Sequence, residues 1–196
     1  MEEASTIPRH PNMGDYVSLN ERTELSLPLS TGSLVVLHSH QLNPTPEPQA
    51  YIDNTNLNIY NEEGNNILHI SFRRAENEIV FNTAPEGNNW EREERVPLSG
   101  KLRRNDTYVI VWDQGDYYQV FIDGFNAKRF TKRYGGNGVA VSYEVNEYTQ
   151  NPIFSHTIDV QPVDVLGWTT FWIFEFLRRR VVMKSWRVFQ SVTTLW

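Results

Sequence analysis

"HISFRRAENEIVFNTAPEGNNWEREER", residues 69–95, decides the fold of this chain, because its apolar residues recur at every second position. Strands send successive side chains to opposite faces. With Leu68 just upstream, Leu68, Ile70 and Phe72 therefore form a core-facing set. His69, Ser71 and Arg73 form an outward row, stepping ~7 Å at a time. After the turn "RRAEN" the chain returns as "EIVFNT", with Ile79 and Phe81 on the inner face and Val80 and Asn82 on the other. The loop "APEGNN" leads to Trp90 and then to "EREER", where Glu93 and Arg95 share one parity and Glu94 and Val96 the other. One face thus collects His69, Arg73, Asn82, Glu93 and Arg95, with Trp90 at its edge.

The same rhythm extends outward. "SLVVLHS" (33–39), "LNIYN" (57–61), "NILHISFR" (66–73), "NEIVFNT" (77–83), "TYVIVWD" (107–113), "YYQVFID" (117–123), "AVSYEV" (140–145) and "HTIDVQ" (156–161) are rich in β-branched and aromatic residues. Turn residues separate them: "STG", "EEGNN", "PEGNN", "DQGD", "DGFN" and "YGGNG". Short strands at this spacing predict an all-β fold, an antiparallel sandwich or barrel, from Asp15 to about Val163. Residues 1–14 hold two prolines and little that packs, and read as a loose arm. Residues 164–196 are different: four of the six Trp, no Pro, and five basic residues against Asp164 and Glu175. This basic aromatic tail is compatible with a helix or with one more strand pair.

Composition narrows the function. At 196 residues the chain suits one well-packed domain. A net charge of −6 disfavours a general nucleic-acid binder. With no cysteine, disulfides, Cys-based zinc sites and thiol nucleophiles are excluded. The five His (10, 38, 40, 69 and 156) are too scattered along the chain to suggest a metal site. Met1-Glu2-Glu3 lacks the basic start of a secretory signal, so cytoplasmic synthesis is expected, with any exit by a non-classical route. No run of about 18 apolar residues provides an integral membrane span. The sequon Asn105-Asp106-Thr107 reads as chance in such a chain.

The outward set has a chemistry of its own. Sugar hydroxyls both donate and accept, and a pyranose ring carries a patch of C–H groups. Arg supplies fixed donors, Glu acceptors, and Asn and neutral His both; an indole offers the C–H patch a flat partner. Glu93 between Arg73 and Arg95 is expected to stay ionised, as a rigid acceptor and not a proton donor. That disfavours a glycosidase, which needs a paired acid and base with one raised pKa. No other catalytic spacing is legible, so no enzyme is expected.

"H-I-S-F-R", "V-F-N" and "W-E-R-E-E-R" resemble the carbohydrate-recognition signature of galectins: His-x-Asn-x-Arg, Val-x-Asn and Trp-x-x-Glu-x-Arg. The likeness is nearest to fungal galectins, with Ser71 in place of the first Asn and the ending "REERVPL". It extends through "IDNTNLNIYN", "VIVWDQGDYYQVFIDG" and "VSYEVNE", covering roughly residues 15–163 and not the tail. The resemblance implies a jelly-roll sandwich of two antiparallel sheets that binds β-galactosides without metal or other cofactor, and a homo-oligomer, dimer or tetramer. It assigns the axial galactose hydroxyl to His69 and Arg73, the exocyclic hydroxyl to Asn82 and Glu93, the neighbouring sugar to Arg95, and stacking to Trp90. A branch of fungal galectin-like lectins shares "IDNTN" and "RRxEN", lacks the Trp and prefers chitooligosaccharides, which makes that ligand the alternative. A third reading is a scaffold protein with a vestigial sugar site. Ser71 is too short for the contact made by Asn, and Glu91 and Arg92 place charge on the rim.

Overall fold

The computed structural model describes residues 15–46, 52–87, 89–103, 105–146 and 151–165. The arm expected at 1–14 and the tail beyond Val165 lie outside the described residues. Twelve strands make up the fold: β1 (Asp15–Ser18), β2 (Glu21–Leu29), β3 (Ser33–Ser39), β4 (Asn54–Tyr60), β5 (Asn66–Arg73), β6 (Glu78–Ala84), β7 (Glu94–Pro97), β8 (Thr107–Asp113), β9 (Tyr117–Ile122), β10 (Phe125–Thr131), β11 (Gly138–Val145) and β12 (Thr157–Asp164). They form two six-stranded antiparallel sheets, ordered β1-β12-β3-β8-β9-β10 and β2-β11-β4-β5-β6-β7, packed as a jelly-roll sandwich.

The alternation read from the sequence sets the inner faces. Leu68, Ile70 and Phe72 of β5 and Ile79 and Phe81 of β6 point inward, meeting Val35, Leu37, Val109, Val111, Tyr118 and Val120 of the other sheet. Removing this apolar surface from water drives the two sheets together, at roughly 1.5–3 kcal/mol per fully buried large side chain. A second, smaller cluster of Leu34, Val36, Ile110, Phe121 and Val165 lies on the opposite side of β3, β8 and β9.

Four strands go beyond the sequence expectation: β1, β2, β7 and β10. All four are sheet edges among the described residues. The β9–β10 hairpin turns on Asp123 and Gly124, at φ 47° and 82°, the left-handed pair that a two-residue hairpin of this twist demands. Near the start of β11, a Cβ on Gly138 would come within 2.6 Å of Ile59 Cγ2, so only glycine lets the strands approach.

The "RRAEN" turn contains a structural anchor. Arg74, its side chain 1% exposed, donates from Nε and Nη2 to Asp53 Oδ1 at 3.1 and 2.6 Å, and to the carbonyls of Asn43 and Asn151 at 3.0 and 2.5 Å. These bonds tie β5 to the segments that enter β4 and precede β12, and they fix the end of the sheet that bears the outward row.

Candidate functional site

Strand register gathers the predicted residues on the outer face of the second sheet. His69 on β5 lies directly opposite Asn82 on β6 and Asn58 on β4. Val80 lies opposite Arg95 on β7, so Arg95 shares that face, and Glu93 follows by parity two residues earlier.

His69 is buried, and its Nδ1 sits 2.6 Å from Asn58 Oδ1. That oxygen also accepts from Asn66 Nδ2 at 3.0 Å, while Asn58 Nδ2 donates to Ser142 Oγ at 2.9 Å. The network assigns the proton of His69 to Nδ1 and leaves Nε2 as an acceptor. Burial, helped by the Arg73 charge, pushes the imidazole pKa down from 6.5 to about 4, so the ring is neutral at physiological pH.

Arg73 donates to Glu93 Oε1 at 2.7 Å and to Ser71 Oγ at 3.4 Å. Arg95 grips the other carboxylate oxygen with Nε at 2.9 Å and with Nη2. Partial burial would raise the Glu93 pKa, but hydrogen bonds from Arg95 and Arg73 outweigh it, and the group is held below the usual carboxylate range. Arg95 is braced in turn by Glu76 at 2.8 Å and Glu78 at 2.5 Å. The result is a charged rail, Arg73–Glu93–Arg95, pinned at both ends.

Trp90 is 54% exposed, and its ring centroid lies 4.4 Å from that of His69, tilted by 44°. Its loop is tied to β6: Glu91 N–H donates to the Thr83 carbonyl at 3.0 Å, and Asn82 Nδ2 donates to the Glu91 carbonyl at 2.8 Å. Holding this loop uses most of what Asn82 can offer. Its Oδ1 accepts from Thr83 N–H at 2.9 Å and from Arg133 Nη1 at 3.1 Å, which leaves one amide N–H for anything else. His69, Arg73, Glu93, Arg95 and Trp90 thus converge, and Asn82 shares their face as a half-committed supporting residue.

The profile of the galactoside-binding lectin family matches residues 21–146 of this chain. The chain belongs to the galectin family. It is 38% identical to galectin-1 of Coprinopsis cinerea over 106 residues, 54% of this chain and 68% of that one. It is 34% identical to an anti-tumor lectin of Cyclocybe aegerita over 146 residues, 73% and 90% of the respective chains. Among solved structures, Caenorhabditis elegans galectin LEC-6 superposes with a TM-score of 0.53 at 17% identity, covering 77% of this chain and 92% of its own. A variant of human galectin-16 gives 0.55 at 16% identity, covering 74% and 94%. At those identities the superpositions speak for the fold.

Several residues around this galectin's candidate site were invisible to the motif. Asn58, Asn66 and Ser142, which set the His69 tautomer, come from β4, the start of β5, and β11. Arg133 and Tyr134 arrive from the loop before β11, Tyr134 donating to Glu91 Oε1 at 2.8 Å. Asn58 and Ser142 left a sequence signal, as the polar residues between Leu57 and Ile59 in "LNIYN" and between Val141 and Tyr143 in "AVSYEV".

Proposed function

We propose that this galectin binds β-galactosides on the outer face of the β2-β11-β4-β5-β6-β7 sheet, with His69, Arg73, Asn82, Glu93 and Arg95 contacting hydroxyls and Trp90 stacking on the sugar. The observation that carries the reading is the pairing of an exposed indole with a neutral imidazole acceptor and a fixed guanidinium–carboxylate rail. An axial hydroxyl needs an acceptor for its proton and a donor for its lone pair. His69 Nε2 and Arg73 supply the two from one side, while the C–H face of the same ring turns to Trp90. In chitooligosaccharides the corresponding hydroxyl is equatorial, so this acceptor and donor lose their shared target.

The "IDNTN" and "RRAEN" segments, which suggest the chitooligosaccharide branch, meet through the buried Arg74–Asp53 pair. That pairing gives the two segments a role in supporting the fold. A binding role is what the site supports, since a Glu93 held ionised cannot serve as the general acid a glycosidase needs. The test is a glycan array probed with the full chain, then competition by lactose and by chitotriose. Lactose competes and chitotriose does not, and Trp90→Ala abolishes binding in a folded protein. Competition by chitotriose alone, or unchanged binding by Trp90→Ala, overturns the reading.

A further inference from the structure

The other side of the sandwich carries a second constellation. Register sets Asp159 of β12, His38 of β3 and Tyr108 of β8 in one row on the outer face of the first sheet. His40 and Asp106 fall two residues from His38 and Tyr108, with the same parity. His38 and His40, two residues apart in the sequence, are thus joined by Asp159 of β12 on one side and by Asp106, just before β8, on the other. One ligand atom from each of His38, His40 and Asp106 lies within 4.8 Å of the others. Asp159 Oδ2 sits 3.0 Å from His38 Nδ1 and 3.0 Å from His40 Nε2, and His38 Nε2 contacts Asp106 Oδ1.

Both ring nitrogens of His38 therefore face carboxylate oxygens. A neutral imidazole has one N–H and one lone pair. In the neutral ring, with the Nδ1 proton given to Asp159, the Nε2 lone pair would meet an Asp106 oxygen that also only accepts. A cation shared by the two converts that repulsion into coordination. The carboxylate behind the histidine is also the usual outer partner of a metal-bound imidazole, fixing its tautomer and raising its basicity. The His38 ring is already held in place, with its side chain 15% exposed and its plane stacked on Tyr108, centroids 4.2 Å apart and planes 13° apart. Two carboxylates balance a divalent charge. Imidazole nitrogen with carboxylate oxygen selects zinc or a similar transition ion over magnesium and calcium, which take oxygen ligands.

We propose that His38, His40 and Asp106 bind one divalent transition-metal ion, zinc by ligand type, with Asp159 orienting the imidazoles. The ion would clasp β3, β12 and the entry to β8, on the face turned away from the sugar site.

Calorimetric titration of zinc chloride into the full chain, stripped with EDTA and held at neutral pH, tests this. One saturable zinc per chain is expected, with no comparable heat from magnesium chloride. His40 and Asp106 are more than half exposed, so His40→Gln combined with Asp106→Asn should fold, abolish zinc uptake and leave lactose binding unchanged. Asp159→Asn should weaken zinc about 10–100-fold, as loss of an outer partner does. Absence of saturable uptake overturns the proposal, as does uptake that survives the double substitution. So does an NMR spectrum in which His38 stays an imidazolium at neutral pH in the presence of zinc, which would make the cluster an ion-pair network.

Discussion

The buried imidazole at the centre of the candidate site makes the stability of this protein depend on pH in a defined window. In the unfolded chain His69 takes up a proton near pH 6.5; in the folded protein burial and Arg73 delay uptake to about pH 4. Between those values the unfolded state binds more protons, so acidification favours unfolding. At 1.36 kcal/mol per unit, a shift of this size means a loss of about 3 kcal/mol as pH falls from the upper to the lower value, levelling off below. That is a large part of the roughly 5–15 kcal/mol by which a domain is stable. Glu93 and Glu94, both lowered from 4.5, add their losses only below that pH, so the slope above it is assigned to His69. Urea unfolding at a series of pH values measures the slope, and NMR titration of the His69 ring gives the midpoint directly. Protonation also removes the Nε2 acceptor, so lactose binding should hold down to mildly acidic pH and vanish toward pH ~4. A ring midpoint near 6.5, or a His69→Gln variant with the same slope, would refute the reasoning.

Glu93→Gln removes the charge that Arg73 and Arg95 share and should cut lactose affinity by roughly tenfold or more, measured by calorimetry, with unfolding little changed because the site is partly solvated. Arg74→Leu leaves the Asp53 carboxylate buried without its cation and should cost about 3–5 kcal/mol in urea unfolding. Gly138→Ala drives a methyl into Ile59 and Leu29 and should cost about 1–3 kcal/mol, visible as a lower melting temperature. A single shallow sugar site is weak, and useful avidity needs several copies. Sedimentation of the full chain should therefore show a dimer or tetramer, and a monomer at all concentrations would count against that.

Alternation made the central strands legible, and failed where physics asks least of a strand. β3, β5 and β8 have the bounds read from sequence, each lying inside its sheet with an alternating apolar face turned to the core. β2 ("ERTELSLPL") and β10 ("FNAKRFT") are edges, where charge and even Pro28 are tolerated since one side of the strand pairs with no other among the described residues. The same local rule placed the candidate residues: parity alone put His69, Arg73, Asn82, Glu93 and Arg95 on one face. What it could not give was the supporting shell. The Asn58–His69 bond depends on which strand lies beside β5, and Arg133 reaches Asn82 across 51 positions of sequence, so neither follows from spacing along the chain. Asp106 and Asp159 reach His38 and His40 only through strand pairing, which spacing along the chain does not show.

The most direct test of a galactoside pocket on this face is amide and indole NMR during lactose titration. Saturable shifts should appear at His69, Arg73, Glu93 and Arg95 and be largest at the Trp90 indole N–H. Shifts confined to the β1-β12-β3-β8-β9-β10 face, or an unmoved Trp90 indole at saturating lactose, would contradict the account.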